Sequence, residues 1–200
     1  MASRSARARA RLWWQKRRWY DRNTFPLTRA RIHFEMARRE AYCRWPLQGN
    51  VLEALRDGRL VIEPQVHFEP NVWLSIGDDA SLRIGEGTFL NQGVMVAAID
   101  RVEIGAYCMF ANGSFISDSN HRFDDPDLPV PWQGFESKGP TIIGDNVWGG
   151  ANVVVTSGVT IGERCVIGAN SVVTRDLPPY SIAAGAPADI LRPVSYTSVT

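Results

Sequence analysis

The chain has 200 residues, 44% of them hydrophobic and 22% charged, which suits one folded domain with appendages and is too apolar for a disordered chain. No apolar run is long enough to cross a bilayer and no secretory hydrophobic region stands near the N-terminus, so a cytoplasmic location is expected. The net charge of +1 conceals an asymmetry: residues 1–45 hold 13 of the 22 basic residues against Asp21, Glu35 and Glu40 (net +10), leaving 9 basic and 18 acidic residues (net −9) in the remainder.

Residues 1–58 read as a basic, Trp-rich arm followed by helical segments. Trp13, Trp14 and Trp19 are interleaved with basic residues in Arg11-Leu-Trp-Trp-Gln-Lys-Arg-Arg-Trp-Tyr20. That mixture suits an anionic membrane surface, where indole rings sit at the headgroup level, so peripheral membrane contact at the inner face is one expectation. A helical arm packed on the acidic body of its own oligomer is another. Nucleic acid would also attract the charge, but no nucleic-acid partner is expected. An Arg-rich, acid-poor start also resembles a transit peptide, with nothing else in the chain to support an organelle. Residues 30–41 are charged and helix-prone, Pro46 and Gly49-Asn50 break that pattern, and residues 51–58 read as a short helix ended by Gly58.

The body, residues 59–193, is organised by a six-residue step. It is strictest in Ile143-Gly-Asp-Asn-Val-Trp148, Gly149-Gly-Ala-Asn-Val-Val154, Val155-Thr-Ser-Gly-Val-Thr160, Ile161-Gly-Glu-Arg-Cys-Val166 and Ile167-Gly-Ala-Asn-Ser-Val172, followed by Val173. The first position is aliphatic except at Gly149. The fifth is Val147, Val153, Val159, Cys165 or Ser171, all small or β-branched. A helix repeats near 3.6 residues and a half-buried strand at 2, so a period of six fits neither; it fits a short strand plus a tight corner, three of which close a triangular coil. Upstream the register runs through Ile62, Phe68, Leu74, Ile76, Leu82, Ile84, Leu90, Val96, Val102, Ile104, Phe110 and Ile116 with two-residue slips, giving about five coils. The three cysteines (Cys43, Cys108, Cys165) have no paired or metal-ligand spacing, and Cys108 and Cys165 fall at fifth positions, as buried thiols would. An odd count without a framework points to a reducing compartment.

The register fails once, over residues 117–142. This excursion holds His121, Asp124, Asp125, Asp127, Trp132, Phe135 and Lys138, stiffened by Pro126, Pro129 and Pro131. A loop this long in a compact repeat is commonly functional, and a solenoid gives it a rigid base. His121 stands five residues past Ile116, where the chain leaves the coil. Imidazole is the side chain best suited to accept a proton near pH 7, and a positioned base contributes about 10²–10⁴-fold to transfer from an alcohol.

The Ile-Gly hexads, Ser119-Asn-His121, Ile143-Gly-Asp-Asn-Val-Trp148, Ser171-Val-Val-Thr-Arg-Asp-Leu-Pro-Pro179 and Ala184-Gly-Ala-Pro-Ala188 together resemble the hexapeptide-repeat acyltransferases, in particular the galactoside, maltose and polysaccharide O-acetyltransferase branch. The resemblance covers residues 58–193 and not the arm or the tail (194–200). It implies an all-β, left-handed parallel β-helix, an exception to the right-handed crossover rule. It also implies a homotrimer with active sites between subunits, acetyl-CoA as co-substrate and no metal. Position by position it implies His121 as catalytic base, Asn91 as an acceptor-positioning residue and Trp148 as lining the cleft near the thioester. Ala151, Ala169, Thr174 and Arg175 fall where that family contacts coenzyme A, and Arg192 near its phosphates. Trp132 and Phe135 offer faces for stacking on a sugar, and Asp124, Asp125 or Asp127 groups for its hydroxyls.

The chain departs from the family pattern at several points. Asp189 stands where a basic residue is common. Ala98 and Ile99 stand where galactoside enzymes place an Asp, with Asp100 one position later, which argues against galactoside as acceptor. Gly149 is expected to open space beside Trp148. The reaction implied is direct transfer of an acetyl group to a hydroxyl of a sugar or of a polysaccharide or glycolipid precursor, with a coil-corner N–H at the oxyanion. A xenobiotic O-acetyltransferase acting on an antibiotic hydroxyl is the alternative, and a non-catalytic scaffold subunit is disfavoured by His121, Asn91 and Trp148. A hexapeptide-repeat carbonic anhydrase needs clustered zinc ligands, and the only histidines are His33, His67 and His121.

Overall fold

The computed structural model describes residues 26–195. The basic arm with Trp13, Trp14 and Trp19, and the last five residues of the tail, lie outside the described residues.

Short parallel strands stack into three sheets around one interior, forming a left-handed β-helix of about six turns. The first face carries Tyr42–Cys43, His67–Phe68, Phe89–Leu90, Met109–Phe110, Trp148–Gly149, Val166–Ile167 and Ser181–Gly185. The second carries Leu47–Gly49, Val72–Ile76, Met95–Ala98, Phe115–Ser117, Val154–Val155 and Val172–Val173. The third carries Leu60–Ile62, Ser81–Ile84, Arg101–Ile104, Thr141–Ile143 and Thr160–Ile161. A final antiparallel strand, Ala188–Pro193, folds back on Ser181–Gly185.

The six-residue step follows from this geometry. First-position Ile143, Val155, Ile161, Ile167 and Val173, and fifth-position Val147, Val153, Val159, Cys165 and Ser171, are all at most 2% exposed. They fill the interior from every side, so each must be aliphatic or small. The Gly after the aliphatic residue is a stacking requirement: a Cβ on Gly144 would lie 2.7 Å from the Glu163 nitrogen, and one on Gly105 would lie 2.6 Å from the Gly144 carbonyl carbon. The corners then turn through left-handed residues such as Asn146 (φ 56°), Asn152 (φ 56°) and Asn170 (φ 59°), and Asn tolerates that region better than most side chains. The two-residue slips are one strand period each, so Val72–Ile76 and Ser81–Ile84 gain a second interior residue without turning their faces over.

Three expectations are corrected. The coil starts before residue 59 and has about six turns, because Tyr42–Cys43 pairs with His67–Phe68 and Leu47–Gly49 pairs with Val72–Leu74. Helix α1 spans Pro26–Ala37 rather than 30–41: Pro suits a first helical turn, and the chain must leave the helix to join the first face at Tyr42. Gly149 leaves no opening beside Trp148. It pairs with Phe110 of the turn below, and a Cβ there would lie 2.5 Å from Phe110 Cδ1, so the buried phenyl ring occupies that room. Helix α2 (Val51–Arg56) forms as the sequence indicates, burying Val51, Ala54 and Leu55, while α1 buries Ile32 and Met36; both belong to one core with the coil.

Candidate active site

The excursion is fastened to the coil by a buried polar neck. Ser117, Asp118 and Thr141 are at most 1% exposed and Ser157 is 6% exposed. The Asp118 carboxylate accepts the backbone N–H groups of Ile99 (2.8 Å), Asp100 (2.9 Å) and Arg101 (2.6 Å), which form the corner of the turn below. The Ser157 hydroxyl, from the turn above, donates to the Asp118 carbonyl (2.6 Å) and accepts the Lys138 N–H (2.8 Å). Thr141 Oγ1 donates to the Ser117 carbonyl (3.0 Å). Both ends of the excursion are thus tied to adjacent turns, and the register resumes at Thr141, opposite Val102.

Beyond the neck, Asn120–His121 pairs antiparallel with Phe135–Glu136. The rings of His121 and Phe135 lie 4.4 Å apart between centroids, tilted by 36°. The outer loop is organised around Gln133, whose amide nitrogen donates to the Asp125 and Leu128 carbonyls (2.9 and 2.7 Å) while its oxygen accepts the Asp125 N–H (3.0 Å). Asp124 is held by Arg122 through two contacts of 3.2 and 3.1 Å, and that hydrogen bonding lowers its carboxyl below the usual value. Phe123, Leu128, Val130 and Trp132 are exposed on this loop.

His121 opens onto a cavity of about 1070 Å³ over the second face. One wall is the outward row Trp73, Met95 and Phe115, which are direct neighbours across the ladder. Ala98 and Ile99 line its floor, Phe135 and Asn120 come from the excursion, and Asn50 and Glu53 come from the region of α2. Asn50 is structural, since its amide donates to the Ile76 carbonyl (2.7 Å) and accepts the Ile76 N–H (3.0 Å). Among the described residues that line it, Glu53 and Asp78 are the carboxylates, so the cavity carries acidic character beside an apolar wall.

Of the residues singled out in the sequence, His121 and Phe135 line this cavity, with Ala98 and Ile99 at its floor. Asn91, Ala151 and Ala169 lie on another edge, between the first and second faces, stacked corner on corner. Trp148 points outward from the first face and is 50% exposed. Thr174 and Arg175 share the His121 edge but sit above it, after the strand Val172–Val173. Arg175 is paired with Asp189, and Arg192 lies on the last strand with its guanidinium against the Pro193 carbonyl. Trp132 and Asp124 stand on the outer loop. Asp118, Trp73 and Glu53 went unmarked in the sequence; only the outward position of Trp73 in an alternating strand carried a signal. Burial pushes the Cys43 and Cys108 thiols up to about 11 and raises Cys165, which disfavours their thiolates. Among the described residues no group of three or more His, Cys, Asp or Glu side chains is arranged to hold a metal ion.

Comparison with known proteins places this geometry among relatives. Residues 140–175 match the family described as bacterial transferase hexapeptide (six repeats). A probable acetyltransferase of Mycobacterium tuberculosis is 39% identical over 142 residues, covering 64% of this chain and 47% of that protein. A galactoside acetyltransferase solved in complex with coenzyme A superposes with a TM-score of 0.60 at 32% identity, covering 72% of this chain and 70% of that one. A hexapeptide-repeat-containing acetyltransferase of Vibrio cholerae, solved with acetyl coenzyme A, superposes with a TM-score of 0.59 at 27% identity, covering 88% and 82%. The chain spans between about a third and about half the length of the first curated relatives it matches.

Proposed function

The chain belongs to the hexapeptide-repeat transferase family, and from that premise we propose that it is an acetyl-CoA-dependent O-acetyltransferase acting on a hydroxyl of a sugar or glycan, with His121 as general base. The observation that carries the reading is the position of His121: it stands on a hairpin fixed by a buried polar neck, facing a cavity large enough for a sugar ring. Phe135 against the imidazole limits its rotation, which favours proton transfer from one fixed direction.

The residues present suit coenzyme A. Ala151 and Ala169 leave an edge without bulky side chains, along which an extended pantetheine arm can lie against backbone groups, and the guanidinium groups of Arg175 and Arg192 suit its phosphates. When bound, acetyl-CoA supplies an acetyl carbon activated by the thioester. His121 takes the proton from the acceptor hydroxyl as the oxygen bonds to that carbon, and it returns the proton to the sulfur as the carbon–sulfur bond breaks. The products are the ester and the free thiol, with His121 regenerated.

Because Asn91, Trp148, Ala151 and Ala169 stand on edges and faces away from the His121 cavity, the reading requires a neighbouring copy to complete each site, in a homotrimer. The exposed Phe123, Leu128, Val130 and Trp132 of the excursion suit that contact. The apolar wall of Trp73, Met95 and Phe115 with Glu53 and Asp78 favours a neutral or cationic acceptor over an anionic one. The arm before residue 26 keeps a proposed role in peripheral contact with the inner face of a membrane.

The test is thiol release from acetyl-CoA against neutral sugars, amino sugars, sialylated and lipid-linked glycans, and hydroxylated antibiotics. With whichever acceptor is active, His121→Ala is expected to lower the rate about 10²–10⁴-fold. Full transfer by that variant removes His121 as the base, and activity confined to an antibiotic selects the xenobiotic reading.

A further inference from the structure

Helix α1 buries only Ile32 and Met36. Its opposite face presents Leu27, Arg31 and Phe34, continued by Arg38 one residue past the helix end, spaced four, three and four residues apart and therefore aligned in one stripe. A solvated face would carry polar groups at these positions, yet Leu27 is 76% and Phe34 is 62% exposed. The Arg38 guanidinium sits 5.8 Å from the Phe34 ring centroid. A groove of about 590 Å³ runs beside the stripe, bordered by Arg31 and Phe34 of α1, by Arg38 in the turn that follows it, and by Leu52, Leu55 and Arg56 of α2. The carboxylate on this flank, Glu35, is taken up by Arg38 and Arg39.

We propose that this face of α1 is a docking surface for a bilayer rich in anionic lipid, one that orients the solenoid's helical end toward the membrane. Alternating large apolar and Arg side chains match an interfacial helix, in which the apolar groups enter the acyl boundary and the guanidinium groups reach the phosphates. A nucleic acid or other hydrophilic polyanion would answer the arginines and leave Leu27 and Phe34 in water. The chain on the N-terminal side agrees in chemistry: residues 1–25 hold eight basic residues, Asp21 as the single acid, and three Trp. An arm alone would tether the body; a stripe on a helix packed into the core fixes its orientation. The consequence for catalysis rests on the proposed function: α2 borders this groove and also contributes Glu53 to the His121 cavity, so docking would bring that cavity near lipid-borne acceptors.

The test is co-sedimentation of the full chain with vesicles of phosphatidylcholine alone or with about one third phosphatidylglycerol, at about 50 mM and 500 mM salt. The full chain is expected to pellet with the anionic vesicles only, and less at high salt. Arg31→Gln with Arg38→Gln is expected to weaken partitioning about 30-fold, from about fivefold per Arg near such a surface. Leu27→Ser with Phe34→Ser is expected to weaken it at least about tenfold. The charge-retaining pair Arg31→Lys with Arg38→Lys should bind as the parent does, as should Arg83→Gln with Arg101→Gln on the third face. Thermal melts matched to the parent show that each variant is folded. The proposal is overturned if the parent fails to pellet, pellets equally with neutral vesicles, or binds duplex DNA but not vesicles. It is also overturned if both α1 pairs pellet like the parent, which would leave the arm as the whole attachment.

Discussion

Replacing Asp118 by Ala tests whether the excursion is held by its neck. The carboxylate accepts three backbone N–H groups at 2.6–2.9 Å and is 0% exposed, so truncation strands three donors in the corner formed by Ile99, Asp100 and Arg101. A hydrogen bond to a charged acceptor contributes about 1.5–3 kcal/mol, and water can partly replace it here, since Ile99 is half-buried and Asp100 and Arg101 are exposed. Because the three share one acceptor they do not simply add, so the low-end sum of about 4.5 kcal/mol is an upper figure and a loss of about 4 kcal/mol is expected. For a chain of this length that is a fall in Tm of about 8–16 °C. Asp118→Asn keeps one acceptor oxygen and turns an NH2 toward the remaining donors, so about half that loss is expected. Urea unfolding followed by tryptophan fluorescence, with thermal melts, measures both. Asp124→Ala is the control: its carboxylate is exposed and paired only with Arg122, and its loss should be within about 0.5 kcal/mol. If Asp118→Ala melts within about 2 °C of the parent, the neck does not anchor the excursion. Since His121 follows Asp118 by three residues, the folded Asp118→Asn protein should also lose kcat while the KM for acetyl-CoA changes less than about twofold.

Two further outcomes follow from the packing and the ion pairs. Gly149→Val is expected to cost about 1–3 kcal/mol against the Phe110 ring, and Phe110→Val in the same chain should recover most of it, as a double-mutant cycle by urea unfolding would read. Asp189→Asn releases Arg175 from its exposed ion pair and is expected to lower the KM for acetyl-CoA by about 1.5- to 5-fold, measured by thiol release.

The scaffold was legible because its constraint is periodic. Every turn must offer the interior an aliphatic residue and a small one, and must place Gly where the next turn's backbone passes, so Ile143-Gly and Ile161-Gly declare the coil directly. The first turn was hidden because Cys43 and Leu47 hold interior places without the Ile-Gly signature, and only their pairing with Phe68 and Val72 reveals them. The role of Gly149 is hidden for a related reason: its partner, Phe110, is 39 positions earlier, and no local pattern says that one turn's large residue answers the next turn's small one. At the candidate site, His121 was visible because it stands where the period breaks. Asp118 was not, because an Asp in a loop is ordinary and its three donors lie 17–19 residues back, across a turn. Trp73, Met95 and Phe115 are brought into one wall only by ladder register.

The neck shows how a repeat protein places a non-repeating group. Along the coil, register is held by aliphatic side chains whose burial is nearly interchangeable from turn to turn, which fixes a turn's height and leaves rotation about the strand direction to hydrogen bonds. At the excursion the aliphatic step is suspended, and Ser117, Asp118, Thr141 and Ser157 take interior or near-interior places instead. Their contacts are directional, and each reaches a different turn: Asp118 the one below, Ser157 the one above, Thr141 across the neck to Ser117. Apolar residues at these four places would keep the coil closed and let the loop pivot. Polar ones, fully satisfied, set the direction in which the chain leaves and so the place where the His121 imidazole stands. The four neck residues thus support the candidate site as much as the groups that line its cavity do, and a substitution there that leaves the protein folded, such as Asp118→Asn, should still change turnover.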